Sequence, residues 1–115
     1  MARNQHLLIA LTEPVAGQDD AFNEWYENTH VPECLRVPGF KSGQRYKLTA
    51  SQSDAPRQAY LALYELEGDK PQDVLDALDA TKDDRTPSAA IDRSKTSLWV
   101  FSPIGEKHYG PVDDG

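Results

Sequence analysis

Residues 57–66, RQAYLALYEL, constrain the fold more than any other stretch of the chain. Read as a strand, it places Ala59, Leu61 and Leu63 on one face and Tyr60, Ala62 and Tyr64 on the other. Both faces are apolar or aromatic, so both need cover. The last apolar run, residues 95–104 (KTSLWVFSPI), behaves alike, with Leu98 and Val100 set against Trp99, Phe101 and Pro103. So does the first, residues 6–13 (HLLIALTE), with Leu7, Ile9 and Leu11 opposite Leu8 and Ala10.

Between these runs the pattern changes period. Residues 18–31 predict a helix, with Asp19 and Asp20 in its first turn at the positive end of the dipole. Phe22, Trp25, Tyr26 and Thr29 form its buried stripe, and Phe22, Tyr26 and His30 lie along one face at i, i+4, i+8. Pro32 disturbs this helix, and Pro38-Gly39 turns the chain into a second strand over residues 40–49. Simple alternation there puts Phe40, Ser42, Gln44, Tyr46 and Leu48 on one face and Lys41, Gly43, Arg45 and Lys47 on the other. Residues 50–56 read as loop. Gly68-Asp69 is a turn, and Pro71 opens a second helix over 71–83 that buries Val74, Leu75, Leu78 and Ala77. Residues 84–93 read as an irregular turn, and the tail 105–115 as partly irregular.

The order is β-α-β-β-α-β over residues 1–115, one ferredoxin-like α+β domain with a four-stranded antiparallel sheet. Two helices cover one face of such a sheet. The other is left apolar, and a second copy of the same sheet is the expected cover, giving a two-fold homodimer.

Composition narrows the function. The formal net charge of −7 argues against nucleic acid and against anionic membrane surfaces. Between Glu65 and Asp84 ten charged residues include only Lys70 and Lys82 as cations, a solvated helix face. No apolar run approaches the roughly 20 residues of a membrane span, and no leader pattern is evident, so a cytoplasmic location is the expectation. The lone cysteine, Cys34, excludes an intrachain disulfide and a Cys-rich zinc site. His6, His30 and His108 have no ligand spacing, so no metal is expected. Glycine-rich phosphate loops and a GxSxG elbow are both absent, which points away from nucleotide cofactors toward cofactor-free chemistry.

The blocks Trp25-Tyr26, His30-Val31-Pro32-Glu33, Val37-Pro38-Gly39-Phe40 and Arg45-Tyr46 resemble the dimeric α/β-barrel superfamily, in its EthD-like branch. The resemblance implies sheet-to-sheet dimers and a pocket between each sheet and its own helices. It also implies a pocket histidine, matched by His30, with Tyr26 and Tyr46 as catalytic companions. An imidazole titrates near neutral pH and suits general acid/base work. A tyrosine hydroxyl can donate to a developing oxyanion. Phe22, Trp25 and Trp99 are the expected aromatic pocket walls. Arg45 is a possible carboxylate ligand, although if Tyr46 faces the helices Arg45 faces the dimer seam. Cys34 is a weaker candidate as nucleophile, because no third group orients it.

The expected activity is that of an isomerase, cyclase or lyase acting on a small aromatic, lactone-like or enolisable catabolic intermediate. A cofactor-free monooxygenase of a phenolic substrate is the alternative. A non-catalytic ligand-binding protein is the third.

Overall fold

A computed structural model describes residues 5–51, 53–54 and 58–111. Expectations for residue 57, for part of the 50–56 loop and for the last four residues of the tail fall outside that range.

Strand β1 (Gln5–Thr12) lies at the centre of a four-stranded antiparallel sheet in the order β2-β3-β1-β4. The others are β2 (Phe40–Lys47), β3 (Tyr60–Glu67) and β4 (Ser97–Phe101). This is the ferredoxin-like arrangement, because β1 and β2 run parallel but are separated by the antiparallel β3.

The first helix is longer and less regular than its sequence predicts. Helix α1 (Asp19–Trp25) passes into a π-helical turn, Tyr26–His30, and then into α2 (Val31–Cys34) without a break. Pro32 therefore does not end the helix. It sits in the first turn of α2, where a missing N–H is tolerated, and the wider π-helical turn precedes it. Helix α3 (Pro71–Ala80) begins at its proline as expected. The last turn of α3 is capped by side chains. Thr81 Oγ1 donates to the Ala77 carbonyl (2.7 Å), and the Arg85 guanidinium donates to the Leu78 carbonyl (2.6 Å).

Both helices pack on the sheet face carrying Leu8, Ala10, Tyr60, Ala62, Tyr64 and Leu66, all buried with Phe22, Tyr26, Val31, Cys34 and Val74. One irregularity decides what else reaches that face. Phe40 pairs with Leu66 while Ser42 pairs with Glu65, so Lys41 is an extra residue in a β-bulge. A one-residue insertion reverses the parity of everything after it. Phe40 thus shares the helix-facing side with Gly43, Arg45 and Lys47, while Ser42, Gln44 and Tyr46 face the other way. The simple alternation expected for this strand is corrected at that point.

The opposite sheet face carries Leu7, Ile9, Leu11, Leu61, Leu63, Trp99 and Phe101, in cross-strand pairs such as Leu7 with Phe101 and Ile9 with Trp99. Trp99 and Phe101 are 56% and 57% exposed, so this face is both apolar and open. Among the described residues no helix is long and apolar enough to cross a membrane.

Candidate functional site

A cavity of ≈ 440 Å³ opens between the helix-facing end of β1 and β4, the first helix, and the segment after α3. Thr12, Thr96 and Leu98 form its floor. Trp25, Tyr26 and His30 form one wall, and Lys82, Arg85, Thr86, Pro87, Ile91 and Arg93 form the other.

The second wall is irregular but firmly held. The Glu33 carboxylate accepts from the Thr86 backbone N–H (2.7 Å) and hydroxyl (2.9 Å). The Trp25 indole donates to the Thr86 carbonyl (2.9 Å). At the other end the Val15 N–H donates to the Ala90 carbonyl, and the Asp92 N–H to the Glu13 carbonyl. The residues read as an irregular turn are thus sutured to the first helix and to the chain just beyond β1. Those bonds to Thr86 hold the Glu33 carboxyl below its ordinary range.

His30 is packed by aromatic rings on two sides. Its ring stacks on Trp25 (centroids 4.6 Å apart) and meets Tyr26 edge-on at 4.8 Å. Nε2 lies 3.5 Å from Cys34 Sγ. Nδ1 is buried and has no hydrogen-bond partner among the described residues. Burial, reinforced by the positive charge of Arg85, lowers the imidazole pKa to about 4, against a smaller upward pull from Glu33. His30 is therefore neutral at neutral pH and can accept a proton.

Behind it lies a buried polar chain. The Tyr64 hydroxyl faces both the Tyr26 hydroxyl and the Cys34 thiol, yet finds no partner at hydrogen-bonding geometry among the described residues. Burial pushes the Tyr26 hydroxyl up to about 12 and also raises Tyr64 and Cys34. All three stay protonated, so Cys34 is not the thiolate a nucleophile needs.

Of the residues singled out in the sequence, His30, Tyr26 and Trp25 converge on this cavity. Phe22 does not line it. It is fully buried behind, in ring contact with Tyr26 and Tyr60. Arg45 faces the helices and not the open sheet face. Its guanidinium carbon lies 4.9 Å from the Tyr26 ring centroid, and Nη2 donates to Asn23 Oδ1 at 2.6 Å. Tyr46 is on the opposite face, where its hydroxyl donates to Gln44 Oε1, so the structure does not bring it to His30. Trp99 is likewise on the open face, paired with Ile9. Strand parity sends both away from the cavity, by way of the bulge in the case of Tyr46.

Glu33, Arg85 and Arg93 are site residues that the sequence reading passed over. Each arginine follows an aspartate, Asp84-Arg85 and Asp92-Arg93, so the local charge cancels along the chain. Among the described residues, no three His, Cys, Asp or Glu side chains gather to hold a metal ion. His6 serves structure, with its ring nitrogens bonded to Ser102 Oγ (2.7 Å) and the Gly68 carbonyl (3.1 Å).

This combination of sheet order and helix packing is a ferredoxin-like α+β fold. Solved structures share it over nearly their whole length. A candidate monooxygenase from Shewanella loihica superposes with a TM-score of 0.63 at 14% identity, over 92% of this chain and 100% of its own. An ethyl tert-butyl ether degradation (EthD) family protein from Bacillus halodurans gives 0.58 at 22% identity, over 90% and 99%. HapK from Hahella chejuensis gives 0.58 at 13% identity, over 91% and 98%. The EthD family protein belongs to the branch that the sequence blocks resemble. No protein-family model matches the chain, and no curated protein matches it in sequence.

Proposed function

We propose that the protein is an acid/base enzyme acting through its own side chains on a small aromatic or enolisable molecule bound in the cavity beside His30. One observation carries the reading. A neutral imidazole, stacked and fixed, stands in the wall of a substrate-sized cavity with Nδ1 unpartnered among the described residues. In the tautomer that directs Nε2–H at Cys34 Sγ, the lone pair is on Nδ1. In the first step the neutral imidazole takes a proton from the substrate, leaving an enolate or phenolate. Tyr26 keeps its proton, and we assign its ring to packing the base at the cavity wall, with its hydroxyl turned to Tyr64 behind. In the second step the imidazolium returns the proton elsewhere on the same molecule, which is an isomerisation, or to a leaving group, which is a lyase reaction.

A second reading shares the first step. The likeness in fold to a candidate monooxygenase favours an anion that reacts with dioxygen. The substrate then supplies all four electrons that dioxygen takes up and the two hydrogens of the water formed: one oxygen atom is retained as a carbonyl, and the other leaves as water.

The working unit we propose is a homodimer joined through the open sheet face. Its support is the exposed apolar surface around Trp99 and Phe101.

A panel of phenolic and lactone compounds tests the function. Turnover by the natural protein and none by a folded His30→Gln variant is the expected result, and oxygen uptake during turnover selects the second reading. Full turnover by His30→Gln removes the base assignment. Tight binding without product would make this a ligand-binding protein.

A further inference from the structure

We propose that the cavity's ligand is an organic carboxylate, anchored through its anionic group by Arg85 and Arg93. This rests on reading the cavity as the substrate site. The chain holds 19 acidic residues against 12 Lys and Arg, yet this cavity is lined by three cations, Lys82, Arg85 and Arg93, and by no carboxylate. The sign of the protein's charge is reversed here.

The cations are not neutralised. Arg85 Nη1 donates to Thr81 Oγ1 (2.9 Å) and Nη2 to the Leu78 carbonyl (2.6 Å), both uncharged acceptors. These bonds fix the guanidinium and leave its charge available. Among the described residues the ion pairs are Lys41 with Glu67 and Arg45 with Glu27, and neither involves this cavity. Glu33, the carboxylate whose field reaches His30, already accepts two hydrogen bonds from Thr86. Both arginines also act on His30, disfavouring its protonation, which places their charge close to the cavity wall.

Unpaired cations beside apolar walls focus a positive field into the space between them. A planar carboxylate answers two guanidiniums with well-matched hydrogen bonds. Trp25, Ile91 and Leu98 supply an apolar surface for the rest of the molecule, which an inorganic anion would leave unused.

Benzoate and its neutral counterpart benzamide are the probes, titrated into the full chain while the Trp25 indole N–H resonance is followed by NMR. Benzoate is expected to bind about tenfold tighter or better, with affinity falling as salt rises. Arg93→Gln is the cleaner variant, because Arg93 is exposed and holds no core contact. It is expected to weaken benzoate about tenfold and leave benzamide unchanged. Equal affinity for acid and amide overturns the proposal, as does unchanged benzoate affinity in Arg93→Gln or no response of Trp25 to either probe. Benzoate binding involves no proton transfer, so failure here is separate from failure of the base, which turnover of His30→Gln reports.

Discussion

The Glu33 carboxylate holds Thr86 twice, once through its backbone N–H and once through its hydroxyl. A residue in the resembling His30-Val31-Pro32-Glu33 block thereby fixes a wall contributed by a distant part of the chain. Glu33→Ala removes both acceptors while leaving the exposed rim of the helix intact. Amide hydrogen exchange at Thr86 is expected to accelerate by about tenfold or more, with the sheet amides unchanged. Unaltered exchange would mean that the Trp25 indole and the backbone bonds at Ala90 and Asp92 hold the segment without Glu33.

His30 makes stability depend on pH. Its folded pKa is about 4, below the ordinary value of 6.5, so the unfolded chain binds the proton more readily. This contribution is fully present above about pH 6.5 and is lost as pH falls toward 4, by up to roughly 3 kcal/mol. Denaturant unfolding of the natural protein should weaken across that window, and His30→Gln should flatten the response. In the same way, an enzyme using His30 as base keeps its kcat/KM through pH 5 and declines only near pH 4.

Arg45 is a packing residue with a charge. Its guanidinium lies over the rings of Tyr26, Phe22 and Tyr60, within 5.8 Å of each centroid, and bonds to Asn23. Arg45→Ala is expected to cost about 1–2 kcal/mol in denaturant unfolding. Arg45→Lys should recover little of it, because an ammonium cannot stack and bond in the same plane.

Gly43 allows β2 to pass over Tyr64. A Cβ there would stand 2.8 Å and 2.9 Å from Tyr64 ring carbons and 3.2 Å from Val31. Tyr64 is almost wholly buried and cannot swing aside. Gly43→Ala should therefore lower stability by about 1–3 kcal/mol, read as a fall in melting temperature.

The proposed dimer can be split with little damage to the protomer. Phe101 is more than half exposed, so Phe101→Glu disturbs no core. Sedimentation or light scattering should change from the mass of a pair to that of one chain. A variant that keeps the mass of a pair would place the interface elsewhere.

The element order and the two-faced strands were legible because they depend on local period, and every strand sits within a few residues of its expected place. His30, Trp25 and Tyr26 were legible as a group for a similar reason, since one stretch of helix carries them. What the sequence hid is non-local or a matter of one residue. Nothing in FKSGQRYK marks Lys41 as the bulge, yet that bulge decides that Arg45 and not Tyr46 meets the helices. Arg85 and Arg93 sit beside aspartates in an irregular segment, and only the folded chain brings them opposite His30.

The π-helical turn at Tyr26–His30 makes the site sensitive to counting. Each residue of a regular helix turns the chain by about 100°. Deleting one residue within this turn would restore ordinary pitch: eleven residues at about 100° return to within about 20° of their start, so Phe22 and Cys34 would still both face the sheet, while residues inside the turn, His30 among them, would take new directions. A neighbour of the same fold that is one residue shorter here would pair its strands in the same way and yet aim its histidine elsewhere. Aligning such chains on strands alone would equate positions with different surroundings, and a gap at this point would separate them.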